Sequence, residues 1–250
     1  MTAWVLAFLV GLALGSFLNV VITRLPQGEQ VWAGRSRCPQ CRVTILWRDN
    51  LPLLSFFLLR GRCRFCGQPI SWRYPAVELA GGLLALALWI RFPGDYLLVV
   101  YGSFCAALVV LTALDLEHRW LPDAITIPGT GLGLILALIF PHLPFLESLA
   151  GALAGAAIFY GLGWVYEKLT GKMGLGGGDV KLLALIGAFL GVRALPWIIF
   201  GSAALGSLVG LGLALGRGRL AKGEWRTLAI PYGPFLAAAA LAYLFWGGEL

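Results

Sequence analysis

The chain has 250 residues, of which 59% are hydrophobic and only 12% are charged. Soluble domains carry about 25% charged residues, so a soluble protein of this size could not bury so much apolar surface. The apolar stretches are continuous rather than alternating, which argues against a transmembrane β-barrel. Composition therefore predicts an all-α fold, a polytopic helical membrane protein.

Eight apolar segments along the chain are predicted to form transmembrane helices. The first is longer than the core of a typical signal peptide and is interpreted as a retained helix. The sixth is shorter than the roughly 20 residues that a crossing requires, so it is tilted, packed against its neighbours or partly re-entrant. The segments are 3–23, 74–91, 97–114, 124–140, 145–166, 180–192, 195–215 and 228–246.

The positions of Lys and Arg predict the orientation of these helices in the lipid bilayer. Arg91 and Arg193 fall in loops on one side, and the rest of the 19 basic residues lie in or beside the loops on the other. The loops after the odd-numbered segments are therefore predicted to be cytoplasmic, with both termini outside. Positive loops beside anionic lipid explain the net charge of +7 without a nucleic-acid partner.

The one long polar segment, 25–73, contains two C-x2-C pairs. Each pair turns two thiolates toward one ion, which favours a closed, structural zinc site; redox pairs or free thiols are the alternative. A metal would stabilise an insert that has little core of its own. The predicted ligands are Cys38, Cys41, Cys63 and Cys66. The predicted domains are the first helix (1–24), the zinc insert (25–73) and a membrane domain (74–250).

Two aspartates stand at the cytoplasmic ends of predicted helices, where ionisable groups are costly. Asp115 ends an apolar run and meets the unfavourable negative end of the helix dipole. Asp179 follows Gly176, Gly177 and Gly178, a run that exceeds what a helix cap requires. These glycines would let an extended peptide approach closely or let the loop move. The alternative is that Asp179 simply caps the next helix.

Two carboxylates that share a dry site do not both ionise easily, so one stays protonated while the other is charged. If Asp115 and Asp179 form such a pair, the charged member would activate a water molecule. The protonated member would polarise the scissile carbonyl and help the amine to leave, as in aspartic proteases. Asp123 is more simply explained as a helix cap, and together with Lys181 it is a candidate for a supporting role.

These segments resemble those of the prepilin peptidases, also called type IV leader peptidases, which are membrane aspartic proteases. The resemblance rests on the GxGD motif at 176–179, on DLEHRWLPD at 115–123 and on further stretches in the same order. Those stretches are GSFLNVVITRLP (15–26), the two C-x2-C pairs, DNLPLLSFFLLRGRCRFC (49–66) and RYPAVE (73–78). The resemblance implies that Asp115 and Asp179 are the catalytic pair.

The resemblance also implies an enzyme of the bacterial inner membrane that removes the short basic leader of type IV prepilins or type II secretion pseudopilins. The cut is expected at the cytoplasmic face, after a glycine and usually before a phenylalanine. Bacterial members with the cysteine-rich insert often also methylate the new N-terminal amine with S-adenosylmethionine. No GxGxxG motif is present for this cofactor. Individual methyltransferase residues are therefore not assigned, and the site is expected only to involve the insert and its junctions with the first two helices.

Two other classes of protein remain as alternatives. A zinc-bearing membrane scaffold or transporter can also contain glycine-broken helices and intramembrane carboxylates. Against this class, both aspartates are predicted at one face rather than at the midplane, and no internal repeat is evident. A metalloprotease would require a motif such as HExxH, which the chain lacks.

Overall fold

A computed structural model describes residues 2–32, 34–171, 176–216 and 230–247. Within these ranges an α-helix occupies each of the eight predicted segments, and one further short α-helix lies in the insert. The helices are α1 (Thr2–Arg24), α2 (Leu54–Leu58), α3 (Arg73–Arg91), α4 (Leu97–His118), α5 (Asp123–Ile139), α6 (Phe145–Thr170), α7 (Gly177–Leu190), α8 (Leu195–Gly216) and α9 (Gly233–Trp246). Five of the basic residues that were used to predict the orientation lie outside the described residues, namely Lys172, Arg217, Arg219, Lys222 and Arg226.

Five of the described helices are long and apolar enough to cross a membrane, by length and composition. These are α1, α3, α4, α6 and α8, whereas α5 and α9 are shorter apolar helices. The predicted all-α, multi-pass membrane fold is therefore confirmed. The number of eight crossings stays a prediction.

The chain divides into two compact units, Met1–Ala113 and Leu114–Leu250, with the boundary inside α4. In the first unit, α1 packs directly along α3. A Cβ atom at Gly15 would lie 2.8 Å from the Cα atom of Glu78, and one at Gly81 would lie 3.0 Å from the Cα atom of Gly15. Small residues permit this backbone contact between membrane helices.

The insert between α1 and α3 contains two cysteine turns of the same design. The backbone N–H of Arg42 donates to the carbonyl of Cys38, and that of Gly67 donates to the carbonyl of Cys63, each at 2.9 Å. Isolated β-bridges flank both turns, at Arg37–Thr44 and Arg62–Pro69. The repeated geometry presents each C-x2-C pair in the same way.

In the second unit the short helix α7 is the most enclosed element. Eight of its 14 residues are buried, and it contacts α5, α6 and α9. The Ser148 hydroxyl on α6 donates to the carbonyl of Ala188 at 2.6 Å. A helix of this length extends about 21 Å, less than the roughly 30 Å of a bilayer core. Of the predicted possibilities for the sixth segment, packing against its neighbours is the one observed.

Helix α9 begins at Gly233, and the preceding residues 230–232 are not helical. The predicted start at 228 was therefore too early. Pro234 stands in the first turn of α9, where proline is favoured because it lacks an N–H that would go unbonded. The apolar residues continue on both sides of Gly233, so hydropathy alone does not mark where the helix begins. Pro231 and Pro234 mark that boundary.

Candidate active site

Asp115 lies in the last turn of α4 and is buried, with 6% of its surface exposed. Its Oδ2 atom accepts a hydrogen bond from the backbone N–H of Gly233 at 2.9 Å. Gly233 opens α9, so an N–H group that has no partner within that helix binds the carboxylate at the helix's positive end. This contact offsets the cost of burying Asp115 at the negative end of α4.

Asp179 lies in the first turn of α7, and its carboxylate accepts a hydrogen bond from the backbone N–H of Gly176. This contact is one half of a capping box, so the capping alternative describes part of its role. A Cβ atom at Gly178 would lie 2.8 Å from the Cβ atom of Leu121, which precedes α5. Glycine at 178 therefore lets α7 approach the segment after α4, whereas Gly176 and Gly177 meet no such constraint.

These contacts bring the two predicted aspartates together. The charge of Asp115 acts on Asp179, so the two carboxylates form one electrostatic unit. Two carboxylates in such a unit can share a proton, which leaves one acid and one base at the same place. The arrangement is chemically suited to activating a water molecule against a carbonyl group.

Asp123 is not part of this pair. It is the first residue of α5, and Pro122 occupies the N-cap position of that helix. The Oδ1 atom of Asp123 lies 2.5 Å from Nζ of Lys181 on α7. Both side chains are substantially exposed, so the ion pair contributes at most about 1 kcal/mol. The contact joins the start of α5 to the turn that carries Asp179.

Gly233 is a residue of this site that the sequence analysis missed. A Cβ atom there would lie 2.7 Å from Oδ2 of Asp115, so only glycine fits without displacing the carboxylate. The sequence does contain a signal, because residues 231–234 read PYGP at the start of an apolar run. A glycine between prolines marks a backbone that is fixed in direction and open to close approach.

Tyr232 was also missed. The charge of Asp179 acts on its phenol group, so the ring lies near the carboxylate pair. Its hydroxyl is hydrogen-bonded to Oγ of Ser202 at 2.7 Å. Ser202 donates its own proton to the carbonyl of Ile199, so Tyr232 is the donor between them. This bond holds the loop before α9 to α8.

The four cysteines of the insert form a single cluster. Their Sγ atoms all lie within 4.8 Å of one another, and those of Cys38 and Cys66 are 3.9 Å apart. The backbone N–H groups of Cys66 and Phe65 lower the pKa of Cys63 to about 7. A lowered pKa favours the thiolate form that binds metal. The predicted ligands Cys38, Cys41, Cys63 and Cys66 are thus placed where they could hold one metal ion.

Two family models match the chain. The bacterial Peptidase A24 N-terminal domain matches residues 9–92, which include the four clustered cysteines. The type IV leader peptidase family matches residues 102–211, which include Asp115 and Asp179. No solved structure matches the chain.

Several similar proteins bear the name prepilin leader peptidase/N-methyltransferase. The one from Aeromonas hydrophila is 39% identical over 98% of this chain and 91% of its own length. The one from Klebsiella pneumoniae is 48% identical over 76% of this chain and 86% of its own length. The one from Myxococcus xanthus is 43% identical over 86% of this chain and 64% of its own length. Identity at this level across nearly the whole sequence establishes that the chain belongs to the type IV leader peptidase family.

Proposed function

We propose that this protein is an aspartic endopeptidase that removes the short basic leader from type IV prepilins and type II secretion pseudopilins. The observation that carries the proposal is the electrostatic pairing of Asp115 and Asp179 at the ends of two helices of a membrane protein. The names of the similar proteins support the same activity and do not favour the scaffold or transporter alternative.

The proposed reaction uses the pair as one acid and one base. The charged carboxylate takes a proton from water as the water oxygen attacks the scissile carbonyl carbon. The protonated carboxylate donates a hydrogen bond to the carbonyl oxygen and supports its negative charge. When the C–N bond breaks, the leaving nitrogen receives a proton from the pair. The N–H of Gly233 fixes the Oδ2 atom of Asp115 for these steps.

We place this chemistry at the cytoplasmic face of the bacterial inner membrane. Arg119 directly follows α4, and Lys181 lies in the first turns of α7, so basic residues accompany both ends that carry the pair. Basic residues at helix ends favour the cytoplasmic side. The apolar stretch of the substrate would then lie in the bilayer while its basic leader stays in the cytoplasm.

We further propose that the enzyme methylates the new N-terminal amine with S-adenosylmethionine as donor, as the names of its relatives indicate for them. The cofactor would supply an electrophilic methyl group on a positively charged sulfur. Outside the aspartate pair, Glu78 is a half-buried carboxylate, and none of the ion pairs in the described ranges includes it. Such a group fits a reaction between two positively charged reactants.

The metal of the cysteine cluster is proposed to be structural zinc. A tetrahedral site with zinc–sulfur bonds of about 2.3 Å separates its sulfur atoms by about 3.8 Å, which agrees with the 3.9 Å between Cys38 and Cys66. We expect Cys38→Ser to lower the bound zinc from about one ion per chain to nearly none, because three thiolates bind zinc far more weakly than four. Elemental analysis of the purified proteins measures this change.

Cys105→Ala is the matched control for that substitution. Cys105 is buried in α4 and does not belong to the cluster, so its replacement should leave the zinc content unchanged. Wild-type protein purified without zinc, or a Cys38→Ser variant that retains it, would show that the cluster is not a zinc site.

The proposed peptidase activity is tested with two synthetic precursors and purified full-length protein. Both peptides carry a basic leader and an apolar segment that begins with phenylalanine, and they differ only in having glycine or valine before it. Mass spectrometry should find the released leader from the glycine precursor and little from the other. Equal cleavage of both, or cleavage of neither, would contradict the proposal.

A further inference from the structure

Glu78 is a half-buried carboxylate on α3, about 8 Å along the helix from the insert. It accepts hydrogen bonds from the backbone N–H of Leu53 at 2.8 Å and from the side chain of Ser16. Both donors are neutral, and none of the ion pairs in the described ranges includes Glu78. Carboxylates inside membrane proteins are usually paired with a cation, so this one has a place for a positively charged ligand.

The peptide that donates to Glu78 is held in a strained turn. Leu53 has φ 59° and ψ −50°, and the N–H of Leu54 donates to the carbonyl of Pro52 at 2.6 Å. This is the γ-turn that is rare in proteins because its central residue has an unfavourable conformation. Strain of this kind is retained where a site requires it. Here the turn directs the Leu53 N–H at the carboxylate and fixes its orientation.

Asn19 supplies a second acceptor on the same helix–helix seam. It lies one turn along α1 from Gly15, whose backbone meets that of Glu78, and only 3% of its surface is exposed. Its Nδ2 group donates to the carbonyl of Tyr74 at 3.0 Å. Its Oδ1 atom is buried with no hydrogen-bond partner among the described residues. A buried acceptor without a donor is unfavourable unless a ligand supplies one.

We propose that Glu78 and Asn19 bind the N-terminal amine of the cleaved substrate and that Glu78 receives its proton during methylation. This inference rests on the methyltransferase activity proposed above. A protonated amine offers several N–H donors and no acceptor. It therefore matches a carboxylate without a cation and an amide oxygen without a donor on the same helix–helix seam.

The proton balance of methylation gives Glu78 its role. An ammonium group has no free lone pair, so one proton must leave nitrogen before a bond to carbon can form. Glu78 accepts that proton, and the freed lone pair forms the new N–C bond. As the methyl group leaves S-adenosylmethionine, the electrons of the broken C–S bond stay on sulfur, which becomes neutral. The methylated amine then carries the positive charge.

The test compares wild type with Glu78→Gln in the full-length protein. Glutamine keeps an oxygen that can accept from Leu53 but cannot take up a proton or carry the charge that attracts an ammonium group. A mature substrate peptide with a free N-terminal amine and the same peptide acetylated are bound to each protein without S-adenosylmethionine. Wild type should bind the free amine at least about tenfold more tightly, and the variant should bind both peptides about equally.

Activity measurements on the same proteins separate this inference from the proposed functions. Glu78→Gln should lower methyl transfer to the free-amine peptide at least about 100-fold, while it cleaves precursor within about threefold of the wild-type rate. Asp95→Asn, in the exposed loop between α3 and α4 of the same unit, is the control and should change neither. If wild type cleaves precursor but transfers no methyl group, the proposed methyltransferase activity is wrong. The comparison of peptide binding would still test whether Glu78 and Asn19 bind the amine.

Three results would overturn the inference. The first is a Glu78→Gln variant that still prefers the free amine and methylates it normally, since Glu78 would then only join α1 to α3. The second is loss of precursor cleavage together with methylation, since Glu78 would then support the structure as a whole rather than act in methylation. The third is weakened binding of S-adenosylmethionine with an intact preference for the free amine, which would place the donor rather than the acceptor at Glu78.

Discussion

Asp115→Asn should abolish precursor cleavage, with kcat at least about 10³-fold below that of the wild type. Asparagine has nearly the same shape, and its Oδ1 atom can still accept the hydrogen bond that Gly233 donates to Asp115. The variant should therefore fold, but it can neither carry the charge nor hold the exchangeable proton that the pair requires. Removing a general acid or base typically costs a factor of 10² to 10⁴. The measurement is the steady-state rate on the glycine precursor.

Two controls accompany this substitution. Glu167→Gln removes a carboxylate from the exposed last turn of α6 and should leave the rate within about twofold of the wild type. The zinc content and helical circular dichroism of Asp115→Asn should also equal those of the wild type. An Asp115→Asn variant that cleaves within tenfold of the wild-type rate would remove Asp115 from the catalytic pair.

Gly233→Ala should lower kcat about 100-fold without unfolding the protein. The added Cβ atom would lie 2.7 Å from Oδ2 of Asp115, so the carboxylate must move away from its hydrogen-bonded position. Displacing a reacting group by about 1 Å can cost a factor of 10² in rate. Alanine has a higher helix propensity than glycine, so helix formation in α9 would not suffer. The expected signature is a lost rate with a thermal midpoint close to that of the wild type.

Gly131→Ala is the matched glycine substitution. Gly131 lies in α5, and a Cβ atom there would meet no atom within 4 Å. Its replacement should change the cleavage rate by less than about twofold. If Gly233→Ala behaves like Gly131→Ala, the contact between Gly233 and Asp115 does not position the carboxylate during catalysis.

The sequence was sufficient to predict the helices, the cysteine cluster and the two aspartates that the fold brings together. Apolar runs of about 20 residues have few alternatives to a membrane helix, which is why a helix lies at each predicted segment. The C-x2-C spacing is equally restrictive, because the two thiolates of each turn point the same way. Asp115 and Asp179 could be identified because an ionisable side chain at the end of an apolar run is energetically costly. Both the run and the charged residue are visible in the local sequence.

Contacts between distant segments could not be predicted in the same way. Gly233 reaches Asp115 across 118 positions of sequence, and Lys181 reaches Asp123 across 58. Both contacts depend on how the last turn of α4 and the helices α5, α7 and α9 pack within the second unit, which hydropathy does not encode. For the same reason, the sequence explains the glycine run only by the backbone freedom of glycine. The structure shows a steric reason at Gly178, because a side chain there would collide with Leu121.

We propose that Asp115 and Asp179 act as one catalytic unit, and a double-mutant cycle on precursor cleavage tests this proposal. The rates of wild type, Asp115→Asn, Asp179→Asn and the double variant are measured on one substrate. Residues that act as a unit are strongly non-additive, because removing either already removes the function of both. We predict that each single variant loses at least about 10³-fold in rate and that the double variant is slower by no more than about threefold again. A single variant that stays active, or a double variant whose loss equals the product of the two single losses, would show that the two aspartates do not act as one unit.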